Sequence, residues 1–438
     1  MDCMNQTKVK DFLNHYRMDF SDLQFEVILE SFLAEMERGL TGGAGSLQML
    51  PTYIQAETEA PINEPVLVLD AGGTNFRAAT VFFGREGQVG IENFRKYPMP
   101  GVAGEIDKET FFGTMALYIK DLVKEGQKIG FCFSYPVRMY PDKDGRLIEF
   151  SKQIQAKGVA GELIGANLKL ALEKTGAERP GAVVILNDTV ATMLAGKVDG
   201  ERRNWSGFIG FILGTGTNCC YLEKNSNILK ADSLDPAKSQ IINVESGGFR
   251  GEFGGVLDHK YDLTTVDPGK YTLEKMISGR YLGGLCRMVI MTAAEDGLFS
   301  KAGSAGLKSI KEITTKDLGD YLENNRDHNN PLAAALVNGT DDDRSRLTIL
   351  IERMVERAGM LAALSLTATV LKSGQGLNPE APVRITAEGT TFYRLKGLKT
   401  KTEYYLERYL TGHYHRYWKL ANIADATLIG AAVAGLTN

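Results

Sequence analysis

The chain has 438 residues, 43% apolar and 24% charged, the composition of a globular protein with room for two or three domains. Its 50 basic and 54 acidic residues leave a net charge of −4, which argues against a general nucleic-acid or membrane-surface binder. Five cysteines without a CxxC spacing (Cys3, Cys132, Cys219, Cys220, Cys286) read as reduced, packed thiols, no apolar run is expected to span a bilayer, and the opening residues lack a secretory pattern, so a cytoplasmic location is expected.

In chain order, helical spacing appears first at "KVKDFLNHY" and "DLQFEVILESFLAEMERGL". The texture then changes to strands: "PVLVLD", followed by the antiparallel candidates "FRAATVFFG" and "QVGIENFRKYPMP". A helix at "KETFFGTMALYIKDLVKEG", a buried strand at "KIGFCFSYPV", a helix at "GELIGANLKLALEKTG", a strand at "GAVVILND" and a helix at "TVATMLAGK" complete a first half. The pattern restarts at "GFIGFILGTGTNCCYLEK", whose Gly216-Thr217-Asn218 echoes Gly73-Thr74-Asn75 in the same strand–turn–strand setting. One helix over "TLEKMISGRYLGGLCRMVIMTAAE", a loop-rich insert near 297–345, a long apolar helix "RLTILIERMVERAGMLAALSLTATVLKS", the strand "PVRITAEG" and a last helix at "LIGAAVAGL" follow. Two halves that each open with strand–turn–strand predict an α/β protein of two similar lobes with a ligand cleft between them.

The chemistry concentrates in the turns. "DAGGT" is neither a Walker nor a Rossmann fingerprint. Its glycines suit either a phosphate cradle or a plain tight turn, and the second loop, "LGTGTN", favours the cradle. Asp70 poses a problem there, because a fixed negative charge stands at the lip of an anion site; an intervening cation would resolve it. Asn187-Asp188 ends a buried strand, either facing the cleft floor or capping the following helix. Ser134, Ser151-Lys152, Glu245 and Glu274 occupy comparable polar positions. His413 and His415 read as surface residues of a strand, and Cys219 and Cys220 as packed thiols.

Taken together, in order from about residue 64 onward, these segments resemble the hexokinase/glucokinase family. "LVLDAGGTNFRAATV" and "GFILGTGTNCCYLEK" are similar to its two phosphate motifs, "FSYPVRMYPDKDGRLIEFSK" to its sugar loop and "VVILNDTVATML" to its catalytic segment. "INVESGGF" and "YTLEKMISGRYLGGL" are similar to its two glutamate-bearing segments, and "AEGTTFY" stands where the family contacts adenosine. The resemblance implies a two-lobed actin-like ATPase fold, a ribonuclease H-like βββαβαβα unit in duplicate, with a small lobe of 64–187 plus 424–438 and a large lobe of 1–63 plus 188–423. It implies an ATP- and Mg²⁺-dependent hexokinase acting on the 6-hydroxyl of a hexose, glucose first, as a monomer or homodimer.

Carried over residue by residue, Asp188 is the general base, and Ser134, Ser151, Lys152, Asn187, Asn218, Glu245 and Glu274 bind the hexose. Asp70 meets the metal, through water. Gly72, Gly73, Thr74, Asn75 and Arg77 on one side, and Gly214, Thr215, Gly216 and Thr217 on the other, line the phosphates, with Gly389 and Thr390 beside the adenosine. Such a site suits phosphoryl transfer, which needs positioning, charge neutralisation and a group to take the hydroxyl proton. The chain departs from the family at "SKQI", at Ser246 in place of an aromatic, at Glu388 in place of Asp, and at "ADATLIGAA". Those departures bear on which hexose is preferred: mannose, fructose and N-acetylhexosamine stay open beside glucose. A non-catalytic sugar sensor and an actin-like ATPase without sugar are the rival readings.

Overall fold

A computed structural model describes residues 2–56, 58–85, 88–150, 154–198 and 204–438. Ser151 and Lys152 lie outside the described residues. The first sheet contains β1 (Val66–Gly72), β2 (Asn75–Phe83), β3 (Val89–Pro98), β4 (Ile129–Phe133) and β5 (Val183–Leu186), in the spatial order β5-β4-β1-β2-β3. β1, β2 and β3 pair antiparallel, while β4 and β5 extend the other side in parallel. The second sheet repeats this plan. β6 (Gly207–Leu213), β7 (Thr217–Lys224) and β8 (Ser239–Asn243) are antiparallel, and β9 (Val383–Glu388) and β10 (Trp418–Ala421) add in parallel beside β6. Leu50–Pro51 closes its outer edge against β8. The echo between the two Gly-Thr-Asn turns is therefore a duplication of whole sheets, in a mixed α/β protein of two lobes.

The central strands are buried along nearly their whole length: all of β1 but its last residue, Gly72, and all of β4 and β5 are shielded. Apolar runs without alternation are what strands covered on both faces require. The cover comes from α3 (Lys108–Ile119) and α4 (Ile164–Lys174) on one side and from α15 (Ala426–Thr437) on the other. α15 follows the last strand of the second sheet yet packs on β1 and β4 of the first. Conversely, α5 (Asp188–Val198) follows the last strand of the first sheet and packs on β6 and β9 of the second. The two helices also touch each other, so closely that a Cβ on Gly430 would stand 1.8 Å from the Ala191 carbonyl oxygen. The apolar layer around them joins residues of both sheets, from Val66 and Cys132 to Cys220 and Ile241.

The second lobe carries a larger core, formed with α1 (Asp2–His15), α2 (Phe25–Thr41) and the 33-residue α12 (Asp341–Ser373). α12 corrects one expectation. It is long and apolar enough to cross a membrane by length and composition, but 89% of its apolar window is buried inside the protein. A bidentate ion pair between Arg357 of α12 and Asp258 of α6 (Val256–Asp262) lies within this core, both residues buried.

Two further expectations change. The insert near 297–345 is largely helical: α9 (Lys301–Lys308), α10 (Thr315–Glu323) and α11 (Pro331–Ala335) each start on a side-chain cap, from Ser300, Thr314 and Asn330. The polar residues that suggested loops are N-caps. The single helix expected over 272–295 is two, α7 (Thr272–Ile277) and α8 (Leu282–Glu295). At the break, the Gly279 and Arg280 amides donate to the carbonyls of Gly214 (2.8 Å) and Thr215 (3.2 Å), so pairing with the second turn replaces helical bonds. His413 and His415 are exposed in the turn before β10, not on a strand, and of the five free cysteines only Cys3 is exposed.

Candidate active site

The first turn joins β1 to β2 through Gly73 and Thr74, with Gly72 paired to Asn75. Gly73 has φ +62°, and a Cβ there would meet nothing within 4 Å, so the left-handed backbone is what calls for glycine. Both turn carbonyls are held from behind: the Tyr135 hydroxyl donates to Gly73 (3.0 Å) and the Met99 amide to Thr74 (2.9 Å). Ser134, the neighbour of Tyr135, sets its Oγ 3.4 Å from where a Cβ of Gly72 would stand.

Asp70, one pleat earlier, is 4% exposed and has an ion partner within the chain. Arg77 grips Asp70 Oδ2 through Nε (2.9 Å) and Nη2, and Thr427 at the start of α15 donates to the same oxygen (3.0 Å). Arg77 also reaches Asp425 at 3.5 Å. Burial works against the Arg77 charge, but Asp70 outweighs it and holds the guanidinium above its ordinary range. The Asp70 charge is thus met within the chain by Arg77. Asp70 Oδ1 lies 3.6 Å from the Gly72 Cβ position, on the same side as the Ser134 hydroxyl. One carboxylate oxygen beside a glycine turn is a donor set that would suit Mg²⁺ carrying most of its ligands as water. Among the described residues no cluster of three His, Cys, Asp or Glu side chains forms a protein cage for a metal.

The second turn, Gly214 to Gly216, joins β6 to β7. The Gly214 amide donates to the Gly216 carbonyl (2.9 Å), and Thr391 Oγ1 and the Gly279 amide both donate to the Gly214 carbonyl. Thr217 gives its amide to Glu274 Oε2 (2.9 Å) and its hydroxyl to the Ile212 carbonyl (3.0 Å). Glu274 lies so close that a Cβ on Gly216 would come within 2.6 Å of that carboxylate oxygen. Gly389 packs on this turn with φ +123°, where a Cβ would stand 2.2 Å from the Leu213 carbonyl oxygen; Thr390 follows it, exposed, as the first residue of α13 (Thr390–Arg394).

Asp188 is the first residue of α5, and Asn187 before it accepts from the Thr189 amide (2.9 Å). The same Thr189 amide donates to Asp188 Oδ1 (2.8 Å) and the Thr189 hydroxyl to that oxygen (3.4 Å), so Asn187 and Asp188 share the capping of α5. Burial first, and then nearby carboxylate charges that include Asp188, raise the proton affinity of Glu245, Glu388 and the buried Cys132 thiol. Asp188 thus lies between the Asp70 turn and a carboxylate cluster of the second lobe. In that cluster the Asn218 amide donates to Asn243 (2.8 Å) and to Glu245 Oε1 (3.2 Å), and Asn243 donates to the same carboxylate oxygen. Glu245 adopts a left-handed backbone, φ 58°. Burial, then the charges of Glu274 and Asp188, push its carboxyl up to about 7. A small cavity lined by Tyr135, Leu186 and Asn187 from one lobe and Thr52, Asn243 and Glu245 from the other joins the two walls.

Of the residues singled out in the sequence, Asp70, Arg77 and Ser134 gather around the first turn, and Thr217, Glu274, Gly389 and Thr390 around the second. Asn187, Asp188, Asn218 and Glu245 line the floor. Sequence reasoning missed Tyr135, Asn243, Thr427 and the Gly279-Arg280 break. Asn243 was legible, two residues before Glu245 and opposite Cys220 on the strand that also carries Asn218; Thr427 was not, because it meets Asp70 across 357 positions.

Two models described as hexokinase match this chain, over residues 8–198 and 208–437. It is 30% identical to hexokinase-1 of Schizosaccharomyces pombe over 365 residues, covering 79% of this chain and 74% of that one. It is 34% identical to hexokinase HKDC1 of Mus musculus over 327 residues, 70% of this chain but 35% of the mouse protein, so it spans about a third of that relative. In structure it is similar to the Schistosoma mansoni hexokinase complexed with glucose, with a TM-score of 0.80 and 23% identity over the full length of both chains. Sequence, topology and family models converge: the chain belongs to the hexokinase family.

Proposed function

We propose that the chain transfers the γ-phosphoryl group of ATP to the 6-hydroxyl of a hexose, glucose first, with Asp188 as general base. The observation that carries this reading is the position of Asp188 at the start of α5, directly after Asn187, which lines one cavity together with Asn243 and Glu245 of the other lobe. The glucose in the Schistosoma hexokinase and the names of the relatives support a hexose.

The hexose hydroxyls would be held by fixed donors and acceptors at Ser134, Asn187, Asn218, Glu245 and Glu274, with Ser151 and Lys152 contributing from the sugar loop. Asp188 would accept the O6 proton as bonding to phosphorus develops, which needs no elevated resting pKa. Asp70 would hold Mg²⁺ through water, and the ion would supply charge neutralisation to the nucleotide phosphates. Arg77 keeps the Asp70 carboxylate from presenting an unpaired charge to those phosphates. Closure of the lobes on sugar would exclude water from the reaction.

The test is Asp188→Ala assayed for ADP release with ATP, Mg²⁺ and a panel of glucose, mannose, fructose and N-acetylglucosamine. The variant is expected to lose turnover by about 10²–10⁴-fold, the range of general-base assistance, while still binding glucose. Substantial residual turnover refutes the base assignment, and a wild type that binds hexose without turning it over favours a sugar sensor.

A further inference from the structure

Tyr135 stands directly after Ser134 at the end of β4 and is 1% exposed. Its ring packs between Phe133 (centroids 4.9 Å apart) and Phe150 (5.2 Å, edge-on), and Phe150 immediately precedes Ser151-Lys152 in the sugar loop. Its hydroxyl crosses to the neighbouring strand pair and donates to the Gly73 carbonyl at 3.0 Å. One side chain thus touches the sugar-loop stem, the strand end that bears Ser134 and the apex of the first turn.

The Gly73–Thr74 peptide is trans, as are all described peptide bonds, so its carbonyl and its N–H point in opposite directions. With the carbonyl fixed toward buried Tyr135, the Thr74 N–H is aimed the other way, on the exposed side of the turn. A backbone N–H held in this manner is a ready donor to a phosphate oxygen. Burial, then the charge of Asp70, hold the phenol above its ordinary range, so it remains a donor at every working pH.

We propose that Tyr135 is a positioning residue that couples Phe150 and the strand end bearing Ser134 to the first turn, so that hexose bound against Ser134 tightens the grip of the turn on nucleotide. The inference rests on the phosphotransfer reading above and deepens it. The device is a two-point strut: displacement of Phe150 moves the ring, and the ring sets the plane of the Gly73–Thr74 peptide.

The experiment is a binding cycle by calorimetry, using a non-hydrolysable ATP analogue with Mg²⁺, with and without saturating glucose, on wild type and Tyr135→Phe. Glucose is expected to tighten analogue binding in the wild type, and the variant to lose about tenfold of that gain, the factor one buried hydrogen bond of ordinary net strength supplies. Glucose binding in the absence of nucleotide should stay within about twofold, and the melting temperature should hold. An equal gain in both proteins, or no gain in the wild type, overturns the proposal. A joint fall of both affinities with the melting temperature marks a merely structural tyrosine and also overturns it. Because the cycle reads binding alone, a wild type that couples the two ligands without turnover refutes the catalytic reading and upholds this one.

Discussion

Replacing Glu245 by glutamine keeps an oxygen for the Asn218 and Asn243 amides while removing a charge that burial, Glu274 and Asp188 all oppose. The carboxyl ordinarily titrates near 4.5 and in the folded chain near about 7. Between those values the folded state binds more protons than the unfolded one, so this group's contribution to stability falls as pH rises and levels off above about 7. At about 1.4 kcal/mol per pH unit, the gap amounts to at most about 3 kcal/mol. Glu245→Gln escapes that loss. It should match the wild type near pH 4.5, where both side chains are neutral, and exceed it by up to about 3 kcal/mol at pH 8. With an unfolding entropy of about 2 cal/mol/K per residue, this corresponds to a rise of about 3 °C in melting temperature if the chain melts as one unit. Scanning calorimetry at pH 5 and pH 8 decides the matter. Equal differences at the two pH values, or a variant less stable than wild type at pH 8, would refute the electrostatic account. The same ionisation should strengthen the acceptor for sugar hydroxyls, so wild-type glucose affinity should rise from pH 6 to pH 8 while that of the variant stays flat.

Two other substitutions probe the frame. Gly389→Ala forces a side chain into a left-handed backbone against the Leu213 carbonyl; about 1–3 kcal/mol of strain is expected, with nucleotide affinity lost before glucose affinity in paired titrations. Arg357→Met leaves the Asp258 carboxylate buried without its guanidinium and should cost about 3–5 kcal/mol by thermal unfolding, most of it recovered when Asp258→Leu is added.

The architecture was legible wherever the signal was local. Uninterrupted apolar runs marked β1, β4 and β5, and the repeated Gly-Thr-Asn turns marked the duplication, because a buried strand and a tight turn each impose their own residue types. Expectation failed where distant contacts override local preference. Residues 272–295 have helical texture throughout, yet Gly279 and Arg280 give their amides to the second turn, and no periodicity encodes that partner. In the insert, Ser300, Thr314 and Asn330 are as fit for caps as for loops, and only the apolar residues they introduce distinguish the two. In the site, residue types at strand ends announced Asp70, Asn187, Asp188 and Glu245. The sequence alone did not reveal that Asp70 is already paired, since Arg77 is seven positions away and Thr427 lies at the other end of the chain.

The exchange of α5 and α15 bears on how the molecule comes into being. β1 and β4 leave one face bare until residues 426–437 are made and cover it, after every strand of the second sheet. The second lobe has most of its own core by then, whereas the first must wait with exposed valines and leucines, a condition that invites chaperone capture or aggregation on the ribosome. Completion of the earlier-made half is thus deferred to α15, and both halves become native together.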